Sequence, residues 1–315
     1  MDVPNFAELP VRDGAPAGSS WGVFGDNDEI GTLNFIGPEQ VAAAAKLVTT
    51  GHVFPLNWDL SLPSPAFFKR RSITHTVIER REGFVIDDYL DSFWPQASSQ
   101  WDGLRHIADE QGHYNGVGFP EALDPGSGRL GVEHWAQRGI AGRGVLVDIV
   151  AQLEAEGIEL DPFDFFPIRP DLIERTLNQA RIRLMTGDIL VFRTGWVEAY
   201  ERLSGEEREA YAATERPGSP GLHGDDIPPF LWDNRVAAVA ADNPALEAGR
   251  PRKGSDLSLH RALIPRLGMP LGELWDVAAL ARDCQQDGVF EFFLTSAPLR
   301  LNGGVGTPPN VLALK

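Results

Sequence analysis

Three runs of mostly apolar residues begin after glycine or a turn and predict buried strands. They cover residues 142–150, 186–196 and 235–241. Continuous apolar runs of this length are typical of strands that are covered on both faces. Shorter or interrupted patterns predict further strands at residues 52–60, 73–78, 83–86, 288–295 and 311–314.

Helical periodicity alternates irregularly with these strands. The clearest helix covers residues 38–47, where Pro38 opens an alanine-rich run with Glu39 in its first turn. Others are predicted at residues 132–137, 170–180, 197–215, 257–267 and 280–284, with a loop at 217–229. Because helices and strands do not alternate strictly, we predict an α/β protein of the mixed α+β kind, a single compact domain with a mixed sheet. Residues 1–20 are predicted to form an N-terminal arm that frays or packs on a neighbour, and residues 21–315 to form the domain.

Composition narrows the possible partners. The chain has 315 residues, of which 43% are hydrophobic, and its formal net charge is −17. Such an acidic protein repels nucleic acid and anionic membranes, so we expect neither as a partner. Cys284 is the single cysteine, which excludes an internal disulfide. With no secretory signal and no membrane-length apolar run, the sequence predicts a cytoplasmic protein.

The most suggestive chemistry lies in residues 98–106. If this segment is extended, Gln100 and Asp102 point to the same face, since side chains in a strand alternate. Gly103 permits a turn that brings His106 back to the same pocket. An amide, a carboxylate and an imidazole can together bind a metal ion or transfer a proton. The alternative is that Asp102 and His106, four residues apart, lie on the surface of a helix.

A second pair extends this group. His260 and Glu273 are thirteen residues apart, across a Gly-Met-Pro-Leu-Gly turn that lets the chain double back. Two carboxylates and two imidazoles could hold one metal ion and still leave a proton carrier. The alternative is that His260 and Glu273 are unrelated surface residues.

Other residues are weaker candidates. His113 and His223 lie in glycine-containing loops, where they could line a pocket or be ordinary loop residues. Aromatic side chains could wall an apolar pocket or pack in the core; they are Phe67, Phe68, Trp94, Trp101 and Trp196. Two further candidates are set aside. Gly303 to Gly306 lacks the dinucleotide-binding spacing, and Cys284, which follows Asp283 in a predicted helix, is predicted to be a core thiol and not a nucleophile.

Several segments together resemble the cyclase family of metal-dependent hydrolases, which includes bacterial kynurenine formamidase and isatin hydrolase. They span nearly the whole chain and include Trp21-Gly, residues 31–34, 138–148, 187–196, 241–243, 259–275 and 292–306. The resemblance implies a mixed sheet in the swivelling β/β/α fold. It also implies hydrolysis of an amide or ester in a small, cyclic or aromatic substrate such as a lactam, lactone or formamide.

The family motif is His-x-Gly-Thr-His-x-Asp with a further His four residues on. Asp102 and His106 match its end, but the two leading histidines fall on Gln96 and Gln100. The family's later His and Glu match His260 and Glu273. The resemblance therefore implies a metal site of Asp102, His260 and Glu273, with the Gln100 oxygen in support.

Glutamine is a poorer zinc ligand than histidine, so one divalent ion is expected instead of two. The oxygen-rich ligand set favours Mn²⁺ or Mg²⁺ over Zn²⁺; the resemblance keeps both Mn²⁺ and Zn²⁺ open, and complete loss of the metal is the alternative.

The leading hypothesis is a hydrolase in which a metal activates water and His106, with Glu273, serves the acid and base steps. Gln96, Trp101, His113, Trp196 and His223 are the predicted substrate-binding residues. Two alternatives stay open. One is a metal-free lyase, isomerase or cyclase that uses His106, Asp102 and Glu273, and the other is a silent small-molecule binding protein. A homodimer or homotetramer is expected.

Overall fold

The computed structural model describes residues 3–214, 217–249 and 259–315. The strands are β1 Val53–Pro55, β2 Thr74–Arg80, β3 Val85–Asp91, β4 Gln100–Asp102, β5 Ile140–Asp148, β6 Phe166–Ile168, β7 Ile189–Arg193, β8 Pro220–Leu222, β9 Ala238–Ala241, β10 Leu271–Glu273, β11 Glu291–Ser296, β12 Gly306–Thr307 and β13 Val311–Leu314. The helices are α1 Pro38–Ala44, α2 Phe119–Leu123, α3 Val132–Arg138, α4 Ile149–Ala155, α5 Pro170–Gln179, α6 Trp196–Glu201, α7 Gly205–Ala213, α8 Ile227–Asp233, α9 Leu259–Arg261 and α10 Ala278–Asp287.

One large mixed sheet organises the chain. Its strand order is β1-β13-β11-β5-β7-β9-β10-β4-β12. The central neighbours β5, β7, β9 and β10 run parallel, and all the other neighbouring strands in this sheet pair antiparallel. The three long apolar runs form β5, β7 and β9 and are buried, as predicted for central strands. The prediction of a single mixed α+β domain is confirmed.

Local predictions fail mainly where elements are short. The predicted helix over 197–215 is two helices, α6 and α7, because Ser204 caps a new helix and accepts a hydrogen bond from the Glu207 amide. The predicted loop over 217–229 contains β8 and the start of α8. Residues 257 and 258 of the helix predicted over 257–267 lie outside the described residues. Its remainder is α9 followed by a π-helical turn, Ala262–Arg266.

The N-terminal residues pack against the chain's own α8. Trp232 Nε1 donates to the Pro4 carbonyl at 2.9 Å, and the Phe6 amide donates to Asp233 Oδ1 at 2.7 Å. Ser20 is fully buried and its amide donates to the Arg266 carbonyl. The N-terminal region is therefore tied to α8 and to the π-helical turn Ala262–Arg266.

The connection between β1 and β4 lies mostly outside the large sheet. Its strands β2 and β3 pair only with each other, as a hairpin. Apolar side chains on this hairpin are exposed, among them Val77, Phe84 and Ile86. Gln96, close to the end of this connection, brings it directly to the candidate site.

Candidate functional site

The antiparallel pair β4–β10 positions three of the predicted site residues. Gln100 lies opposite Glu273 in the register, and Asp102 lies opposite Leu271. Since alternate side chains share a face, Gln100, Asp102 and Glu273 project to the same side of the sheet. All three are buried. Residues 100–102 are extended, so the condition under which Gln100 and Asp102 share a face is met.

Trp101 points the other way and is not brought to the site. It is completely buried, its Nε1 donates to Ser296 Oγ at 3.0 Å, and its ring packs edge-on against Trp275 at 4.8 Å. The packing of β10 requires glycine at position 272, between Leu271 and Glu273. A Cβ at this position would lie 2.5 Å from Ala240 Cβ and 2.9 Å from the Trp275 ring, so only glycine lets β10 sit this close.

His260 enters the site from α9. Its Nε2 lies 3.0 Å from Glu273 Oε1 and 3.6 Å from Asp102 Oδ2. Its Nδ1 lies 2.6 Å from Glu247 Oε1, while Glu247 Oε2 accepts from the Leu259 amide at 3.0 Å. Glu247 therefore fixes both the ring of His260 and the start of its helix. A carboxylate on the second nitrogen is the usual support for a metal-binding histidine.

Gln96 links Asp102 to His106, the remaining predicted residue of the site. Its amide nitrogen donates to Asp102 Oδ1 and, at 3.0 Å, to His106 Nδ1. His106 Nε2 lies 3.5 Å from Asp102 Oδ2. His106 is held near Asp102 by a turn in which its backbone amide donates to the Gly103 carbonyl. Because Nδ1 accepts a hydrogen bond, a neutral His106 ring carries its proton on Nε2. Gly306 makes room here, since a Cβ on it would lie 2.5 Å from Gln96 Cγ.

The electrostatics of the cluster are dominated by burial. Burial, followed by the charge of Asp102, raises the pKa of Glu273 to about 7. Burial opposes ionisation of Asp102, but the imidazoles of His106 and His260 outweigh it, and the pKa of that carboxyl is lowered. For His260, burial is outweighed by the nearby carboxylates of Asp102, Glu247 and Glu273, which raise its pKa well above the ordinary value. Burial lowers the pKa of His106.

The geometry and donor set fit a divalent cation. Ligand atoms of Asp102, His260 and Glu273 all lie within 4.8 Å of one another. Asp102 Oδ2 and Gln100 Oε1 are buried and accept no hydrogen bond from the described part of the chain. Gln100 instead uses its amide nitrogen to donate to Glu273 Oε2. Buried acceptors without a donor are costly, and a hard cation satisfies such oxygens. Asp102, His260 and Glu273, with the Gln100 oxygen, are the residues that would hold it.

An ion-pair cluster of Asp109, Arg261 and Arg266 lies close in sequence to two of the site residues, His106 and His260. Asp109, three residues after His106, is buried and accepts from Arg261 Nη2 at 2.8 Å and from Arg266 Nε at 2.5 Å. Arg261 follows His260 directly. The loop after His106 is therefore tied to the helical segment that carries His260.

Four other predicted pocket residues lie elsewhere: Trp196, Phe67, His113 and His223. Trp196 is completely buried in a second aromatic cluster, stacked 4.9 Å from Tyr200, and Phe67 packs 5.8 Å from it. His113 is buried, with its ring 5.8 Å from Phe119, and the His223 ring lies 5.3 Å from Phe165. Within the described ranges, none of them forms a hydrogen bond to the site residues.

Two residues of the site were not predicted. Glu247 supports His260, and the Arg70 guanidinium reaches the Gln96 carbonyl. No motif or spacing marks either residue, because each is brought to the site by tertiary folding.

Comparison with known proteins places this geometry in a family. Residues 54–248 match the Cyclase family, described as "Putative cyclase". A crystal structure described as a novel cyclase is 36% identical to the chain, with a TM-score of 0.84, and the match covers 94% of this chain and 99% of that one. The chain belongs to the Cyclase family. This confirms the resemblance seen in the sequence.

More distant structures share the Cyclase fold. Isatin hydrolase A from Ralstonia solanacearum is 16% identical with a TM-score of 0.61, and the match covers 89% of this chain and 98% of that one. A "predicted metal-dependent hydrolase" from Bacillus stearothermophilus is 15% identical with a TM-score of 0.51, covering 84% and 98%. No curated protein sequence matches the chain. Of the helices in the described ranges, none is both long and apolar enough to cross a bilayer.

Proposed function

We propose that this Cyclase family member is a metal-dependent hydrolase that opens an amide or ester bond in a small cyclic substrate. The observation that carries the proposal is the buried set of Asp102, His260 and Glu273. Asp102 Oδ2 within this set and Gln100 Oε1 beside it accept no hydrogen bond from the described residues. Structures of the same fold described as isatin hydrolase and as a metal-dependent hydrolase support the same reaction class.

The charges of the site favour a cation. Asp102, Glu247 and Glu273 surround one imidazole, that of His260. When all three carboxylates are ionised, their charge exceeds that of a protonated His260. A divalent ion bound here would polarise a carbonyl group and lower the pKa of a water molecule.

His106 has the geometry of the acid–base group. Its side chain is 22% exposed, compared with 1% for Asp102, so it can meet a substrate. Burial lowers its pKa, which keeps the ring neutral and able to accept a proton near neutral pH. With Gln96 donating to Nδ1, the neutral ring carries its proton on Nε2, and Nε2–H can donate to the leaving nitrogen or oxygen. Nε2 takes the proton of water in the opposite tautomer, in which Nδ1 carries the hydrogen and the Gln96 amide no longer donates to it. The proton taken from water can then pass to the leaving nitrogen or oxygen.

The proposal is tested by titrating chelator-treated protein with Mn²⁺ and Zn²⁺ in a calorimeter. We expect about one equivalent bound by the wild type and loss of binding in Asp102→Ala and His260→Ala. The matched controls are Asp171→Ala and His134→Ala, whose side chains hydrogen bond elsewhere, to Arg175 and the Gly128 carbonyl. Metal uptake below about one-tenth equivalent, or uptake that neither site variant reduces, would rule out the metal-dependent reaction. Hydrolysis is then assayed on lactams, lactones and formamides.

One observation favours a second candidate, a metal-free lyase, isomerase or cyclase. Glu273 has a pKa of about 7 and accepts a hydrogen bond from Gln100, so it can hold a proton at neutral pH where a cation would otherwise bind. His106, Asp102 and Glu273 would then move protons on an enolisable substrate. Activity that survives exhaustive chelation would favour this candidate over hydrolysis with a metal.

A further inference from the structure

Arg70 belongs to the connection between β1 and β4, and its side chain reaches the site from outside the sheet. It is half-buried, and its Nη1 donates to the backbone carbonyl of Gln96. The Gln96 side chain is the group that bonds both Asp102 and His106. The guanidinium is therefore hydrogen-bonded to the same residue whose side chain contacts Asp102 and His106.

The charge of Arg70 reaches both sides of the site. Burial is the main cause of the lowered pKa of His106, and the Arg70 charge lowers it further. Burial raises the pKa of Glu273, and the Arg70 charge opposes that rise. The hydrogen bond to the Gln96 carbonyl gives the position of the guanidinium, and from there its charge acts on both groups.

Most of the hydrogen-bonding capacity of Arg70 is unused. A guanidinium has five N–H donors, and within residues 3–214, 217–249 and 259–315 the Arg70 guanidinium donates only to Gln96 and forms no ion pair. Its other contact is a ring: the guanidinium carbon lies 5.2 Å from the centroid of Phe68, which is 57% exposed. In a chain of net charge −17, an unpaired cation beside a catalytic cluster is unusual.

We propose that Arg70 is a specificity-determining residue that binds the carboxylate formed when a cyclic amide or ester is opened. A planar guanidinium matches a carboxylate with two parallel hydrogen bonds, and the exposed Phe68 ring offers an apolar surface to the body of the same molecule. The ligand class is thus a small aromatic or apolar carboxylate. This inference rests on the proposed hydrolysis for the origin of the carboxylate.

The chemistry of ring opening supplies that group. Water adds across the acyl C–N or C–O bond: a new C–O bond forms to the acyl carbon, the old bond breaks, and the leaving nitrogen or oxygen gains a proton. The new carboxylic acid loses its proton at neutral pH. A neutral substrate therefore becomes an anion beside Arg70, within a site whose other charges are mostly negative.

Benzoate and its neutral counterpart benzamide are a suitable pair of probes. Their binding is measured by NMR titration with wild type, Arg70→Gln, Arg70→Lys and the neighbouring control Arg71→Gln, first in chelator-treated protein and then with Mn²⁺. We expect benzoate to bind wild type better than benzamide, and Arg70→Gln to weaken benzoate about tenfold while benzamide changes less than about twofold. Arg70→Lys should weaken benzoate less, and Arg71→Gln should match wild type.

The outcomes separate this inference from the proposed function. A purely structural Arg70 would predict that Arg70→Gln weakens benzoate and benzamide alike, which would overturn the proposal. Equal benzoate binding by wild type and Arg70→Gln would also overturn it, as would wild type that binds neither probe. Loss of the metal-dependent reaction is judged separately, from metal uptake. Arg70-dependent binding of benzoate is expected in the chelated protein even if no metal binds.

Discussion

Gln100 lies directly opposite Glu273 in the β4–β10 pair, and its amide nitrogen donates to the Glu273 carboxylate. The amide therefore occupies the place at which related cyclases, on the motif, carry an imidazole. Its oxygen is left buried and without a donor. Under the proposed function the site would hold one ion, because amides stand where the family motif places two imidazoles, and restoring the imidazoles tests this.

The double variant Gln96→His and Gln100→His should bind a second metal ion. Imidazole is a better ligand than an amide for Zn²⁺, and both positions adjoin Asp102 or Glu273. Calorimetry should show the Zn²⁺ stoichiometry rising from about one to about two. The control is Gln152→His, on α4 and away from the site. An unchanged stoichiometry in the double variant would show that these glutamines do not lie at ligand positions.

Gly272→Ala should damage both the fold and the site. The added Cβ would overlap Ala240 and the Trp275 ring, so β10 must move and carry Glu273 with it. We expect a loss of about 2 kcal/mol in unfolding free energy and weaker metal binding, measured by urea denaturation and calorimetry. The matched control is Gly205→Ala at the start of α7, where a Cβ has open space. Equal stability of the two variants would contradict the close packing seen at β10.

Asp109→Ala should destabilise the protein by removing the shared partner of Arg261 and Arg266. The aspartate is buried, but both arginine side chains are partly exposed, so the expected loss is about 2 kcal/mol, below the usual range for fully buried pairs. Chemical denaturation measures it. Asp171→Ala, which removes an exposed pair with Arg175, should change stability little. A similar small effect of both variants would mean that the loop is not held by these ion pairs.

Asp242 should make stability fall as the pH rises from about 4 to about 6. Burial raises the pKa of this carboxyl to about 6, although hydrogen bonds from Thr194 and Gly195 oppose the rise. The folded state thus holds a proton that the unfolded state, with a pKa near 4, has released, and the unfolding free energy decreases with pH in this window by about 2 kcal/mol. Above this window the contribution is constant.

Comparison with Asp242→Asn isolates this effect. The variant has no proton to release at this position. The difference in unfolding free energy between the variant and wild type should therefore change by about 2 kcal/mol between pH 4 and pH 6, in favour of the variant as the pH rises. Urea denaturation at half-unit pH steps measures the difference. A difference that stays constant across the window would contradict the raised pKa.

Much of the site could be predicted because its residues obey local rules. Period-two alternation placed Gln100 and Asp102 on one face, and the pairing of β4 with β10 then brought Glu273 to them. The same alternation also puts Trp101 on the opposite face, in the core. The prediction of Trp101 as a pocket residue rests on its aromatic character alone and ignores that residue 101 must point away from the face shared by residues 100 and 102.

The remaining features depend on contacts between distant parts of the chain. The strand β10 has three residues, with glycine in the middle, and no local preference marks it as a strand. Its place in the sheet comes from neighbours on both sides. Glu247 and Arg70 are ordinary charged residues in sequence and gain their roles only from the tertiary fold. Trp196 belongs to a second core cluster that no linear pattern reveals.

The connection between β1 and β4 lies outside the large sheet, whereas Asp102 and Glu273 lie on paired strands within it. Chain length and sequence can therefore vary over much of this connection without shifting the strand register that holds the acidic side chains. Gln96 is the exception, because its side chain contacts Asp102 and His106. Under the two proposals, selectivity at Arg70 and reactivity at the paired strands would be encoded in largely separable parts of the polypeptide, so the choice of substrate would change through the connection while the reactive centre is kept.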